Sequence, residues 1–181
     1  DNRVRVTGSN FTKSKNPTIK LEGAELCGYR AITVAGMTDP RLISKINYIE
    51  EKVKKEVEFL SDSFVDKKDY QLRFINYGLN SVSLSNQIKP NDPKEVGLVI
   101  EAIAPNQEIA NTILSLARSS YLHCDFEGRI ATAGNLAFPF SPSDFQGGPV
   151  YKFSVYHLME VDDIDNIFDV TVSSVKERIF I

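Results

Sequence analysis

At 181 residues, 42% of them apolar and 25% charged, the chain has the composition of an ordinary globular domain with material for a sizeable core. A formal net charge of −3 gives no basic footprint for nucleic acid or for an anionic membrane surface. No run approaches the roughly 18 apolar residues of a membrane-spanning helix, so neither nucleic acid nor membrane is an expected partner. Two cysteines, Cys27 and Cys124, and two histidines, His123 and His157, form no CxxC or HExxH spacing. No metal site is expected, and the thiols read as reduced ones in a cytoplasmic protein. The start at Asp1-Asn2-Arg3 has neither an initiator methionine nor the apolar core of a signal peptide, which suggests a piece of a longer protein.

Arg3 to Gly8 alternates charged and apolar residues, the period of a half-buried strand. Pro17 to Glu22 alternates again, and Gly23 is expected to end it. Tyr29 to Ala35, rich in β-branched residues, is a third strand. Asp39-Pro40 then opens a helix, with Asp39 as cap and Pro40 in the first turn, where its missing N–H costs nothing. Leu42, Ile46, Ile49, Val53, Val57 and Leu60 form one apolar stripe of a helix of about six turns. The lysines and glutamates between them read as a solvated face.

Tyr70 to Tyr77 is a strand with Tyr70, Leu72 and Phe74 on one face, and Ser81 to Pro93 is a polar surface crossing. Glu95 to Ile103 is the most apolar strand and therefore central. Pro105 opens a second helix with Ile109, Ala110, Ile113, Leu114, Leu116, Ala117 and Tyr121 as its buried stripe. Val150 to Glu160 is the last long strand, with Tyr151, Phe153, Val155, His157 and Met159 on one face. Asp169 to Ser173 is a short strand candidate, and the apolar end Ile179-Phe180-Ile181 should dock on something.

From Tyr29 onward the order is strand, helix, strand, strand, helix, strand. That order predicts an α+β ferredoxin-like split βαβ sandwich, an antiparallel sheet with two helices on one face and an N-terminal strand extension. Residues 1–181 then make a single domain: an N-terminal strand arm at 1–28, the ferredoxin-like core at 29–160, and a C-terminal extension at 161–181.

Residues 128–149, GRIATAGNLAFPFSPSDFQGGP, make a connection much longer than the roughly 4–6 residues usual in compact domains. Ile130, Leu136, Phe138, Phe140 and Phe145 give it apolar anchors, and its prolines and glycines imply one held shape. It is either a structural crossover packed on its own aromatics or a functional loop. Asp144 is either a turn-capping carboxylate or an acid–base group. His157 is either a hydrogen-bonded core histidine or a general base. Glu101 and Glu160, if covered, would be carboxylates able to act as acids. Cys124 beside His123 is a further, less favoured nucleophile. No phosphate-loop or dinucleotide glycine pattern is present, so no cofactor is expected, and whether the chain is an enzyme stays open.

Two blocks together carry a family resemblance. One combines Glu95 to Glu101 with GRIATAGNLAFPFSPSD at 128–144 and with Gly148 to Leu158. The other combines Val4 to Gly8, Pro17 to Lys20, Ala35-Gly36 and Tyr70 to Leu79. With these segments the chain resembles the C-terminal part of the acyclic terpene utilisation (AtuA) family. Its Lys13–Asn16 region departs from that family's arginine- and proline-rich pattern.

The resemblance implies two-part bacterial proteins, a larger N-terminal α/β portion followed by a ferredoxin-like C-terminal domain. It also implies a part in the breakdown of acyclic terpenes or related acyl-CoA compounds. On this expectation the 128–149 loop contributes to a cleft shared with the N-terminal portion. Arg129, Asn135, Ser141 and Ser143 would bind a small polar or carboxylate-bearing acyl ligand, and Asp144 or His157 would be the acid–base candidates. The alternative is a non-catalytic assembly module that contacts that portion or forms a homo-oligomer.

Overall fold

The computed structural model describes residues 3–79, 81–82, 93–130, 132–162 and 167–171. The chain divides into two compact units, one running from Glu25 to Lys152 and the other joining Asp1–Ala24 to Phe153–Ile181. The elements in chain order are strand β1 (Thr18–Met37), helices α1 (Pro40–Ile43) and α2 (Ile46–Ser61), and strands β2 (Gln71–Tyr77) and β3 (Val96–Ala104). Helix α3 (Gln107–His123) and strand β4 (Asp144–Glu160) follow. The strands form one sheet in the order β2-β3-β1-β4. β3 pairs antiparallel with both β1 and β2, so that Arg30 faces Ile103 while Arg73 faces Glu101.

Alternation along the strands decides which side chains enter the core of the Glu25–Lys152 unit. Leu98, Ile100, Ala102 and Ala104 of β3 share one buried cluster with Ile46, Ile49, Val53 and Val57 of α2 and Ile113, Leu114, Ala117 and Tyr121 of α3. Both long helices thus cover one side of the sheet. Each fully buried aliphatic side chain contributes about 1.5–3 kcal/mol. Tyr121 packs against Phe74 with ring centroids 5.7 Å apart. α3 starts one turn cleanly, because Asn106 Oδ1 accepts from the Ile109 amide at 2.9 Å.

Five boundaries differ from expectation. The helix expected from Asp39 to Leu60 is interrupted at Ser44-Lys45. There the Lys45 amide donates to Leu42 O, a tighter turn, and Ser44 Oγ donates back to Arg41 O at 2.8 Å. The Asp39 cap is as expected, its carboxylate accepting from the Arg41 amide at 2.9 Å. Gly23 does not end its strand: β1 continues through it, and a Cβ there would stand 3.2 Å from Val155. Gly28, at φ +146°, allows an approach to β3 in which a Cβ would meet Ala104 O at 2.5 Å.

The long connection is shorter than expected, since β4 begins at Asp144 and takes in Gly147, Gly148 and Pro149. β4 is last in the strand order, where a residue without an N–H can be accommodated. Residues Arg3–Gly8 form no strand, and Val4 and Val6 are 91% and 78% exposed, with no sheet surface gained by alternation alone. No strand is present at 169–171 either; residues 172–181, including Phe180, and most of the expected 81–93 crossing lie outside the described residues.

Candidate functional site

The connection between α3 and β4 is held at three places. At its start, Asn135 sits under the end of α3, where the last carbonyls of any helix lack intrahelical donors. Its backbone amide donates to Leu122 O at 2.8 Å, and Nδ2 donates to Tyr121 O and Cys124 O at 2.9 and 2.8 Å. Asn135 Oδ1 accepts from Arg129 Nε at 3.1 Å. Midway, Ala137 and Gly36 exchange two backbone hydrogen bonds, 2.8 and 2.9 Å, pinning the segment to β1. Leu136 packs against the core beside this bridge.

At its end, the fully buried Thr33 donates through Oγ1 to Ser143 O at 2.8 Å. Arg118 of α3 grips the Asp144 carboxylate, its Nε lying 2.8 Å from Oδ1 and 3.0 Å from Oδ2. Ser143 Oγ donates to Asp144 Oδ1 at 3.1 Å. Between the second and third anchors the segment turns outward through a cis Ser141–Pro142 bond. Phe140 and Phe145 stack edge to face there, with centroids 5.5 Å apart and exposures of 56% and 39%. Ser141 is exposed beside them.

The expected site residues of the segment therefore fall into three groups. Arg129 and Asn135 meet at the α3 clasp, Ser143 and Asp144 meet at the β1–α3 anchor, and Ser141 is free at the tip. His157 lies in the other unit and is exposed on β4. Sequence reading missed Thr33 and Arg118, whose roles depend on a strand and a helix brought alongside Ser143 and Asp144; neither has a local motif.

Two further candidates separate clearly. Glu160 is exposed, whereas Glu101 is 6% exposed and lies between two arginines, 2.7 Å from Arg30 Nε and 3.0 Å from Arg73 Nε. These are ion-pair distances, but Arg30 Nε and Glu101 Oε2 have no aligned hydrogen bond. The contact is thus mainly Coulombic. His123 and Cys124 line a hollow of about 560 Å³ with Lys52, Glu56 and Ser120. Burial pushes the Cys124 thiol up, with smaller opposing influences from Lys52, so it is a poorer thiolate than a free cysteine. Among the described residues no group of three or more His, Cys, Asp or Glu is placed to hold a metal ion. Nor is any described helix long and apolar enough to cross a membrane.

A family model described as acyclic terpene utilisation family protein AtuA matches residues 1–135. The chain belongs to the AtuA family. The AtuA match ends at Asn135, so it takes in the α3 clasp and stops before the Phe140–Phe145 tip and β4. No curated protein and no solved structure matched the chain.

Proposed function

We propose that this AtuA-family chain is a ferredoxin-like domain that lends its 128–149 segment to a ligand cleft completed by the N-terminal portion of a longer cytoplasmic protein. The ligand would be an acyclic terpenoid or a related acyl compound, bound on the way to its breakdown. Membership of the AtuA family supports a role in acyclic terpene utilisation. The strand order β2-β3-β1-β4, with α2 and α3 on one side, supports the ferredoxin-like reading.

The observation that carries the cleft is the contrast along the segment. Its ends are clasped by side-chain and backbone bonds, while two aromatic rings and Ser141 at its tip are left open to solvent. Exposed aromatics on a fixed support suit an apolar ligand or partner better than solvent. Arg129 and Asn135 then serve by holding the tip, Ser141 and Ser143 by offering hydroxyls near it. Asp144, already paired with Arg118, would act as an acid or base only by exchanging that partner.

The test uses the longer protein and a panel of acyl-CoAs and free branched-chain carboxylates, read as ligand-induced thermal stabilisation. Phe140→Ser with Phe145→Ser should remove the ligand-induced shift while leaving the unliganded melting temperature within a few degrees. An undiminished ligand shift in that double variant counts against the cleft.

The assembly alternative uses the same exposed rings as a protein contact. It predicts loss of association between the two portions, with ligand response unaffected.

A further inference from the structure

The side of the sheet away from α2 and α3 has its own chemistry. Ile32 and Val34 of β1, Ile75 of β2, and Val99 and Ile103 of β3 alternate with the core residues and stay outside the core cluster. All five are half-buried. Gly36 and Gly97 are direct register partners, so two neighbouring positions on this face lack a Cβ, and beside them Tyr77 pairs with Gly97. Among the described residues nothing stands within 4 Å of a Cβ built on Gly36, so the face is open there.

A Cβ on Gly147 would come within 2.9 Å of Arg30 Cγ, so the stem of Arg30 lies over β4 at that position. Phe145, two residues earlier on the strand, shares that face by alternation. The surface is thus an apolar patch over Val34 and Val99, with Tyr77 on one side and the Phe140–Phe145 pair on the other.

One ionic group interrupts it, and its charges do not balance. Among the described residues, Arg30 and Arg73 share the buried carboxylate of Glu101, which leaves one positive charge over. Glu101 holds both guanidinium groups by charge, with no aligned hydrogen bond donated by Arg30 Nε and none accepted by its own Oε2 among the described residues. The Arg73 side chain is 57% exposed and that of Arg30 38%, so both can still donate to an anion. Two copies laid face to face would bring like charges together in an apolar setting, which disfavours self-association here.

We propose that this face binds an amphipathic anion, a medium-length aliphatic chain lying across Val34, Val99 and Ile75 with its carboxylate on Arg73 and Arg30. The inference rests on the cleft reading only in that Phe140 and Phe145 form one rim. Decanoate is the probe, titrated into the 181-residue chain below its aggregation concentration, with decanol and decylamine as neutral and cationic controls.

Decanoate should bind at least tenfold more tightly than either control. Arg73→Gln should weaken it about tenfold, Arg73→Lys less, and Val99→Asp should abolish it; far-UV circular dichroism checks that each variant is folded. Equal binding of all three probes, no effect of Arg73→Gln and Val99→Asp, or no decanoate binding at all overturns the proposal.

Loss in the Arg73 and Val99 variants with full binding in Phe140→Ser/Phe145→Ser keeps this site and removes the loop from it. Loss confined to the phenylalanine variants overturns the face and leaves the loop.

Discussion

The clasp under α3 can be tested quantitatively at Asn135. Replacing it with alanine removes two donors, from Asn135 Nδ2 to Tyr121 O at 2.9 Å and to Cys124 O at 2.8 Å, and leaves those carbonyls without them. At a net value of about 0.5–1.5 kcal/mol per bond, the loss is about 1–3 kcal/mol. For a chain of this size that lowers the melting temperature by about 2–4 °C per kcal/mol. Aspartate is the sharper variant because its shape is nearly the same. It offers no donor and places negative charge at the helix end, where the macrodipole adds a penalty of about 0.3–1 kcal/mol. Arg129, now on Asn135 Oδ1, offsets part of that charge. Equilibrium urea unfolding should therefore rank the parent protein above Asn135→Ala, and Asn135→Ala at or above Asn135→Asp, with an unchanged m-value. An alanine variant within about 0.5 kcal/mol of the parent protein would refute the clasp as a source of stability.

Two other substitutions probe buried polar groups. The Tyr121 hydroxyl is fully buried and finds no hydrogen-bond partner among the described residues, and burial pushes its ionisation well above the usual phenol range. Tyr121→Phe should accordingly be neutral or mildly stabilising by urea unfolding, whereas a loss above about 1 kcal/mol would reveal a partner for that hydroxyl. Glu50 is pushed above its ordinary value by burial, against a smaller lowering by the hydrogen bond from Asn76 Nδ2. Its folded form therefore favours the protonated acid: the associated stability is present below the unfolded value near 4.5 and is lost as pH rises through the folded one. Glu50→Gln keeps an acceptor for Asn76, so thermal melts should show it more stable than the parent protein at pH 7 and equal to it at pH 4. A variant that is less stable at pH 7 contradicts that sign.

How much could be read in advance depended on how local the cause was. The apolar stripe of α3, the Asp39 cap and the central position of β3 all follow from residues within one or two turns, and all are present. The continuity of β1 through Gly23 was illegible because its reason is Val155, far along the chain. The interruption at Ser44-Lys45 was hidden because the apolar stripe runs on across it unchanged. In the candidate site, the long segment between α3 and β4 and its apolar residues stood out in the sequence. What its polar residues touch did not. Asn135 reads as a loop amide until the end of α3 is placed beside it, and whether Glu101 is covered cannot be read until register sets Arg73 opposite and Arg30 alongside.

The two thiols differ in a way that makes the molecule its own reporter. Cys27 is exposed, while Cys124 is buried and its own carbonyl is one of the two that Asn135 Nδ2 holds. A maleimide or disulfide reagent should therefore modify Cys27 at the rate of an open site. Cys124 should react only when the end of α3 lets go, and the ratio of the two rates counts openings of that clasp in the native protein. Ligand at the loop tip, if it steadies the segment, would slow the second thiol and leave the first alone.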